Sequence, residues 1–332
     1  MKKLISSTTF LAIFCCLLWA TPFVGIKIGL NYTTPLQFAG LRFTVSGLLI
    51  LPFIPNIKQR FKESFKHWPI MVNIALVQTT ILYSLFYIGL DMVPGYVGAM
   101  IVGSGPIFVA LTAHFMIKDD KMTLKKFLAI FVGIIGVVII SLAKHKEPNI
   151  PEDAGSTIQH VANSYPWLTR SITLGVIILI IKNLFGSIGN VLIAKNSKGV
   201  YPRVLAAFSL FVGGILILII SEFIEHPSWS TDLPLEFYIS WGWLSIVSSF
   251  AIAIWYSLLQ RPGVKVSILN VWTFIIPIFG AILSWLILPG ESPDLASIIG
   301  MCVIGVSLLL INYFNRKNSN CCTDIIKSSK KI

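Results

Sequence analysis

Three positively charged residues stand inside long apolar stretches of this sequence, where their side chains could bind an anionic group. Arg42 and Lys182 lie well within such stretches, whereas Lys27 lies near the end of one and could reach a polar surface. A cation near the centre of a membrane-spanning helix costs on the order of 3 kcal/mol on insertion scales, so each needs a reason. Arg42 could bond backbone carbonyls or a carboxylate, and Lys182 could face a cavity or be held uncharged. Since no Asp or Glu lies deep in a stretch, the cations predict a substrate with an anionic group.

Polar residues recur at helical spacing in four of the apolar stretches. They are Asn73, Thr80, Ser84, Tyr87 and Asp91; Asn183, Ser187 and Asn190; Ser245, Ser249, Tyr256 and Gln260; and Ser267, Asn270, Thr273 and Ser284. Such residues can also join helices through hydrogen bonds of roughly 0.6 kcal/mol each, and this alternative stays open for every one of them. Four stripes together favour a polar path shared by the helices.

Aromatic residues within the stretches could add a flat apolar wall to that path, although packing or lipid contact is the more ordinary reason for any single one. The predicted substrate-binding residues are Trp19, Arg42, Tyr83, Tyr87, Lys182, Asn190, Tyr256, Asn270 and Trp272. The sequence shows no paired acids, no nucleophile with an evident base and no cluster of metal-ligating residues. We therefore predict neither a catalytic site nor a metal site.

Two prolines head the same tripeptide in the two halves of the chain. Pro106-Ile107-Phe108 recurs as Pro277-Ile278-Phe279, 171 positions later. Each proline removes a helix hydrogen bond and clashes with the carbonyl four residues back, so a kink or break is expected there. We predict that Pro106 and Pro277 are paired hinges about a binding site near the membrane midplane. Packing distortion without motion is the alternative.

The elements that hold these residues are transmembrane helices. Of 332 residues, 55% are hydrophobic and only 12% are charged, about half the charge of a soluble domain. Apolar runs near 20 residues can cross a hydrocarbon core of roughly 30 Å. Ten such runs are present, at about 8–28, 35–54, 70–90, 95–117, 125–143, 172–194, 203–222, 237–259, 264–288 and 295–313. The predicted fold class is an all-α polytopic membrane protein within a lipid bilayer.

The net charge of +12 is a topology signal, and its distribution excludes nucleic-acid binding. With ten spans and a cytoplasmic N-terminus, the cytoplasmic segments hold 20 of the 26 Lys and Arg residues, and the opposite side holds 10 of the 14 acids. This is the positive-inside pattern. It places both termini in the cytoplasm, in what we expect to be the plasma (inner) membrane.

The chain divides into two five-span repeats. We predict a first repeat at 8–143, an external linker at 144–170, a second repeat at 171–313 and a basic cytoplasmic tail at 314–332. Because five spans is an odd number, the second repeat enters the membrane upside down. An acidic residue follows each proline by fourteen positions, Asp120 in the first repeat and Glu291 in the second.

Several of these residues together resemble a known family. The first copy contains Trp19-Ala20-Thr21-Pro22-Phe23, Lys27, Pro35, Arg42-Phe43, Pro106-Ile107-Phe108, Asp120, Gly133 and Gly136, and the second contains Gly186, Asn190, Lys195, Pro277 and Glu291. Over about residues 8–313 this resembles the EamA-type carriers of the drug/metabolite transporter superfamily. The resemblance implies a ten-helix inverted-repeat transporter, commonly an exporter of amino acids or related small metabolites. Asp120 departs from the usual Gly-Glu of the family, and the 144–170 linker is longer than expected.

The function that follows is secondary transport of a small-molecule substrate by alternating access around a central cavity. Import or exchange of a phosphorylated or nucleotide-like metabolite is the alternative, and an intramembrane enzyme or a membrane scaffold is the alternative of a different class. Nothing resembles a nucleotide-binding loop, so we predict no ATP-driven transport and no cofactor. Proton coupling stays open, as does a homodimer.

Overall fold

The protein is entirely helical over the part that the computed structural model describes, namely residues 7–117, 124–142, 172–197, 199–227, 232–288, 292–307, 309, 310 and 313. Asp120, Glu291, the 144–170 segment and the 314–332 tail lie outside these residues. The helices are α1 (Thr8–Gly29), α2 (Pro35–Phe53), α3 (Ile57–Phe65), α4 (Trp68–Asp91), α5 (Gly95–Met116), α6 (Leu124–Leu142), α7 (Ile172–Asn196), α8 (Pro202–Ile224), α9 (Leu235–Leu259), α10 (Val266–Ile287) and α11 (Leu295–Ser307).

Eight of these helices are long and apolar enough to cross a membrane: α1, α2, α4, α5, α7, α8, α9 and α10. Their ends agree with the predicted runs to within two residues, because the length of an uninterrupted apolar run is itself what membrane crossing requires. Helices α6 and α11 are also apolar and occupy the places of the predicted fifth and tenth spans. The ten-span arrangement stays a prediction.

Four helix pairs form the centre of the molecule. Helix α2 packs along α8, α5 packs against α10, α4 packs against α7, and α1 packs against α9. The α2–α8 pair is close enough that a methyl group added at Gly47 would lie 2.6 Å from the backbone nitrogen of Phe211. Small residues permit such approach between helices in lipid, where van der Waals packing takes the place of the hydrophobic effect.

Charged residues segregate to the two ends of the bundle. One end, called here the basic end, contains Lys58, Arg60, Lys62, Lys66, Lys195, Arg203, Arg261 and Lys265. The other, called the acidic end, contains Asp91, Glu222, Glu225, Asp232 and Glu236. This separation has the pattern of the positive-inside rule. Which end faces the cytoplasm stays a prediction.

Several helices are interrupted within the membrane-spanning region. Helix α4 contains a π-helical segment at Ala75–Ile81. Helix α5 breaks at Ser104, two residues before Pro106, and α10 passes through a 3₁₀ turn at Val271–Phe274 just before Pro277. A proline lacks an N–H and crowds the carbonyl four residues back, so both breaks lie on the N-terminal side of the proline, where the hydrogen-bond ladder fails.

Candidate functional site

A central cavity of about 150 Å³ lies where α1, α2, α4, α5, α7, α9 and α10 meet. It is lined by Trp19, Pro22, Phe23, Arg42, Gln78, Leu82, Tyr83, Phe86, Val102, Gly105, Val109, Lys182, Asn183, Gly186, Ser187, Asn190, Ile252, Trp255, Tyr256, Asn270, Thr273 and Ile276. This volume has room for on the order of ten water molecules or one small ligand. Its lining combines apolar and aromatic walls with a few amides and two cations, which is the usual composition of a small-molecule site.

Lys182, near the middle of α7, presents its ammonium group to the cavity with few partners. Its Nζ donates one long hydrogen bond, 3.4 Å, to the side-chain oxygen of the neighbouring Asn183. The same nitrogen lies 5.3 Å from the centroid of the Phe86 ring, in cation–π contact. An ammonium group has three donors, so most of the hydrogen-bonding capacity of Lys182 is directed at the cavity.

Arg42 on α2 is held in the opposite way, by several partners from other helices. Its guanidinium donates to the Ser248 hydroxyl at 2.6 and 3.0 Å, to the Leu244 carbonyl at 3.2 Å and to the Tyr87 hydroxyl at 2.5 Å. Only 3% of Arg42 is exposed. These bonds join α2 to α9 and α4, so Arg42 has a structural role while it contributes positive charge to one wall of the cavity.

Aromatic rings form the apolar part of the lining. Trp19 of α1 and Trp255 of α9 meet edge to face with ring centroids 4.9 Å apart. Phe23 and Phe86 make a similar contact at 5.9 Å. Edge-to-face pairs at these distances are favourable, and they fix the orientation of rings that face a cavity. Because the paired rings stand at 64° and 88° to each other, this wall offers separate ring faces and edges to an apolar group.

Three side-chain amides form a chain across the cavity nearer the basic end. Gln78 of α4 donates to Asn190 of α7 at 3.2 Å, and Asn190 donates to Asn270 of α10 at 2.9 Å. Gln78 lies within the π-helical segment of α4, and Asn270 lies just before the 3₁₀ turn of α10. The chain therefore joins two irregular helix segments through the regular helix α7.

The breaks in α5 and α10 lie beside the cavity. Asn183 donates a 2.7 Å hydrogen bond to the Ile101 carbonyl, next to the break that precedes Pro106. A methyl group added at Gly103 would collide with the Pro277 ring. The two prolines thus lie in a close crossing of α5 and α10, and that crossing borders the residues next to Lys182. Whether the prolines act as hinges stays a prediction.

Seven of the nine residues predicted to bind substrate line this one cavity: Trp19, Arg42, Tyr83, Lys182, Asn190, Tyr256 and Asn270. The other two do not line it. Tyr87 is fully buried behind Arg42, to which its hydroxyl is bonded. Trp272 packs against the hydrophobic core from the 3₁₀ turn of α10. Their roles as binding residues stay predictions.

The four predicted polar stripes differ in how many of their residues line the cavity. All three stripe residues of α7 line it, as do Asn270 and Thr273 of α10, but on α9 only Tyr256 does. Ser245 and Ser249 instead donate to backbone carbonyls, with Ser249 bonding the Ser46 carbonyl of α2 at 3.0 Å. Ser249 thus joins α9 to α2, whereas the Ser245 hydroxyl bonds the Trp241 carbonyl of its own helix. The bond of Ser249 fits the alternative that such residues join helices.

On α4 the predicted stripe faces away from the cavity, and the lining residues are Gln78, Leu82, Tyr83 and Phe86 instead. Within the regular helical segment Leu82–Asp91, Ser84, Tyr87 and Asp91 still share one face, and Leu82 and Phe86 lie on the opposite face. The stripe therefore misses the cavity because the side of α4 that lines it is mainly apolar and aromatic. Gln78 and Trp255 were missed altogether. A polar Gln in an apolar run was a usable signal for the former, whereas the latter is one of several equivalent aromatics.

The end-of-helix lysines are placed outside the cavity. Lys27 donates to the Asp91 carbonyl at the end of α4, and Lys195 donates to the Met116 carbonyl at the end of α5, both at 3.2 Å. Cations at helix C-termini bond the last carbonyls and complement the helix dipole. Lys27 therefore serves a helix end rather than a substrate.

Comparison with known proteins identifies the family. The model of the EamA-like transporter family matches residues 6–142 and, a second time, residues 173–313. The chain belongs to this family. EamA-like proteins are transporters rather than enzymes, so the chain is a multi-pass membrane transporter of small molecules within the lipid bilayer.

Relatives of this EamA-like chain extend over nearly its whole length. The uncharacterized transporter sll0355 of Synechocystis is 28% identical over 89% of this chain and 86% of its own length. The uncharacterized transporter YvbV of Bacillus subtilis is 27% identical over 94% of each. The WAT1-related protein At3g02690 of Arabidopsis thaliana, described as chloroplastic, is 24% identical over 89% of this chain and 67% of its own.

A solved crystal structure has the same fold as this EamA-like chain. It aligns with a TM-score of 0.68 over 94% of this chain and 98% of the other, at 16% sequence identity. The shared fold does not identify a substrate. The cavity residues described above are therefore the basis for assigning one.

Proposed function

We propose that this protein is a secondary transporter that moves a small metabolite bearing an anionic group by alternating access around the central cavity. Amino acids and related compounds are the first class to test, with export as the direction that the family resemblance favours. The observation that carries the proposal is the placement of Lys182 and Arg42 in one cavity, at a junction of seven helices, with no Asp or Glu among its described lining residues. Intramembrane cations placed in this way mark substrate pathways.

The helix pairing supports two inverted five-helix repeats. If the second repeat begins at α7, the corresponding helices are α1 and α7, α2 and α8, α4 and α9, and α5 and α10. Two of the observed pairs, α2–α8 and α5–α10, join corresponding helices directly. The other two pairs are α1–α9 and α4–α7. Replacing each helix of α1–α9 by its counterpart in the other repeat gives α7–α4, so these two pairs are equivalent. The double match of the family model supports the same division.

This symmetry provides a route to alternating access. Substrate sites of inverted-repeat carriers lie near the midplane at the interface between repeats, and rocking of one repeat against the other exposes the site to either side. The breaks before Pro106 and Pro277 meet at the α5–α10 crossing, so we propose the two prolines as paired hinges there. We further propose that the basic end, with both termini, faces the cytoplasm and that the plasma membrane is the site of action.

Counterflow in proteoliposomes tests the function. Vesicles containing the purified full chain would be loaded with unlabelled compounds from a panel of amino acids, organic acids and phosphorylated metabolites, and uptake of the labelled compound would be measured with and without a pH gradient. We expect selective counterflow of one class in vesicles with protein and none in protein-free vesicles. Dependence on the gradient would identify protons as the coupling ion. Absence of counterflow with every compound would overturn the proposal, and counterflow limited to phosphorylated compounds would replace the amino-acid class.

A further inference from the structure

We propose that the cavity takes an organic anion with a flat apolar body and no ammonium group, and that Lys182 is the residue that binds its anionic head. This inference rests on the proposed transport function and narrows its substrate class. It separates simple aromatic or aliphatic acids from zwitterionic amino acids, which carry the same carboxylate together with a positive charge. Four features of the lining lead to it.

The first feature is the charge balance of the described lining residues. Lys182 and Arg42 are both positive, and the described lining contains no carboxylate. A monoanion entering the cavity offsets one positive charge. A zwitterion leaves the net charge unchanged and adds a third positive group in surroundings where charges are poorly screened.

The second feature is the number of hydrogen bonds that each cation already makes to the protein. Arg42 is bonded to a carbonyl and two hydroxyls of the protein and is only 3% exposed. Lys182 has one long hydrogen bond to the adjacent Asn183. A ligand can therefore bond the Lys182 ammonium through donors that the protein does not use, whereas the protein already uses three of the five N–H donors of Arg42 and leaves that guanidinium almost fully buried.

The third feature is the use of the available acceptors by the protein itself. The side-chain oxygens of Asn183, Asn190 and Asn270 accept hydrogen bonds from Lys182, Gln78 and Asn190 respectively. The buried Gln78 oxygen lacks a protein donor, but it is covered by Gly189, since a methyl group there would overlap it. The hydroxyls of Thr112 and Ser187 are paired with each other at 2.6 Å. Each of the three Asn oxygens thus keeps one lone pair at most for a substrate ammonium, whereas Lys182 uses one of its three donors and offers the others to an anion.

The fourth feature is the aromatic wall. Trp19 and Trp255 meet edge to face, and the Phe86 ring contacts both the Lys182 ammonium and the Phe23 ring. A flat apolar body can stack on these rings while its anionic head reaches Lys182. The rings could also attract a cation, so a positively charged ligand belongs in the test.

The experiment compares ligands that share one skeleton and differ only in charge. Equilibrium dialysis with the purified full chain in detergent would measure binding of labelled 3-phenylpropionate, phenylalanine, 3-phenylpropionamide and 2-phenylethylamine. We expect 3-phenylpropionate to bind at least tenfold more tightly than each of the others. Phenylalanine binding as tightly as 3-phenylpropionate, or tightest binding of the amine, would overturn the inference while leaving a carrier in place.

Variants assign the binding to Lys182. We expect Lys182→Gln to weaken binding of 3-phenylpropionate at least tenfold, with little change for the neutral amide, and Lys182→Arg to recover much of it. Lys62→Gln removes the same charge from an exposed position on α3 and should bind as the wild type does. Equal binding of the acid by Lys182→Gln would remove Lys182 from the site. If that variant fails to fold, the ligand series on the wild-type chain still decides the substrate class.

A transport measurement distinguishes failure of the anion inference from failure of the proposed transport function. Counterflow of labelled 2-phenylethanesulfonate, a permanently charged anion that does not leak across lipid as a neutral acid, should be seen in proteoliposomes of the wild-type chain. Counterflow of amino acids without the sulfonate would overturn the anion inference and retain the carrier. Absence of both, and of the phosphorylated compounds, would overturn both proposals.

Discussion

The Glu225 carboxylate accepts a 2.9 Å hydrogen bond from the backbone N–H of Leu36, a residue that lies 189 positions earlier in the chain. It also accepts from the N–H of Gln37 and from the hydroxyls of Thr34 and Ser221. Leu36 and Gln37 are in the first turn of α2, which begins at Pro35, so a residue that follows α8 caps the N-terminus of its partner helix. A carboxylate is favourable there because the first N–H groups of a helix lack internal partners and carry the positive end of its dipole.

The stability of this cap should depend on pH. Burial raises the pKa of Glu225 above its ordinary value of 4.5, and the hydrogen bonds from Thr34, Leu36, Ser221 and Gln37 lower it without cancelling that effect. Since the folded-state pKa is the higher one, the folded protein binds more protons, and the contribution of Glu225 to stability is present below 4.5 and is lost as pH rises through the folded-state pKa. We expect the unfolding temperature in detergent to show this dependence in the wild type and not in Glu225→Gln.

Only the difference between the two proteins is informative, because every other acidic residue is common to both. Because Gln keeps an uncharged acceptor for the same donors, we expect Glu225→Gln to be at least as stable as the wild type at neutral pH, where the proton-linked contribution of Glu225 is lost. Thr34→Val provides the matched variant, since it removes one hydrogen bond that favours the ionised form. Thr34→Val should raise the folded-state pKa of Glu225, so stability should be lost over a higher pH range than in the wild type. Identical pH profiles for the wild type and Glu225→Gln would contradict this account of the cap.

The α2–α8 crossing should not tolerate an added methyl group. A methyl group at Gly47 would lie 2.6 Å from the Phe211 nitrogen and 2.8 Å from the Ala207 carbonyl oxygen, both of them backbone atoms that cannot move independently. We expect Gly47→Ala to destabilise the protein by about 1–3 kcal/mol, the usual effect of overpacking. Gly242→Ala on α9 is the control, since nothing lies within 4 Å of its added methyl group. Thermal unfolding in detergent measures both, and equal stability of the two variants would refute the close crossing.

Much of the fold was predictable because membrane crossing requires a run of apolar residues of a certain length, and a sequence displays that length directly. Lys182 and Arg42 were predictable as site residues for a related reason: an intramembrane charge is expensive unless it faces something polar. The lining face of α4 was not predictable from polarity, since three of its four lining residues, Leu82, Tyr83 and Phe86, are apolar or aromatic and the polar stripe of the same helix faces elsewhere. The displacement of Tyr87 and Trp272 from the lining depends on packing between distant helices, which single-helix patterns do not contain.

Arg42 should prove important for stability as well as for transport. The sequence predicts that Arg42→Gln abolishes transport of a substrate with an anionic group and leaves membrane insertion intact. The structure adds a loss of stability, because the shorter amide cannot serve Ser248, Leu244 and Tyr87 together. A buried group left without its partner costs about 1–3 kcal/mol. We therefore expect Arg42→Gln to lower the unfolding temperature clearly, and Lys182→Gln, which removes fewer contacts, to lower it less.

A double variant that lacks both Lys182 and Arg42 shows how the two cations act together on stability and on ligand binding. Lys182 and Arg42 are like charges that line one cavity, so removing either relieves repulsion on the other, and the double variant should lose less stability than the sum of the two single losses. Their effects on binding of an anionic ligand need not add, because both contribute charge to one cavity. Unfolding temperatures and dialysis on the two single variants and the double variant provide the measurements. Normal transport in both single variants would remove the cationic site from the mechanism.

The role of Pro277 can be tested by separating turnover from binding. If the break in α10 is a hinge, restoring the missing N–H with Pro277→Ala strengthens the helix at the α5–α10 crossing and slows the exchange between inward-facing and outward-facing states. We expect counterflow turnover to fall about tenfold, equivalent to about 1.4 kcal/mol on the barrier, with ligand binding nearly unchanged. Pro202→Ala is the matched control, because that proline is at the start of α8, where its lack of an N–H has little consequence. Unchanged turnover in Pro277→Ala would reduce the proline to a packing element opposite Gly103, and equal slowing in both variants would indicate a general effect of proline removal rather than a hinge.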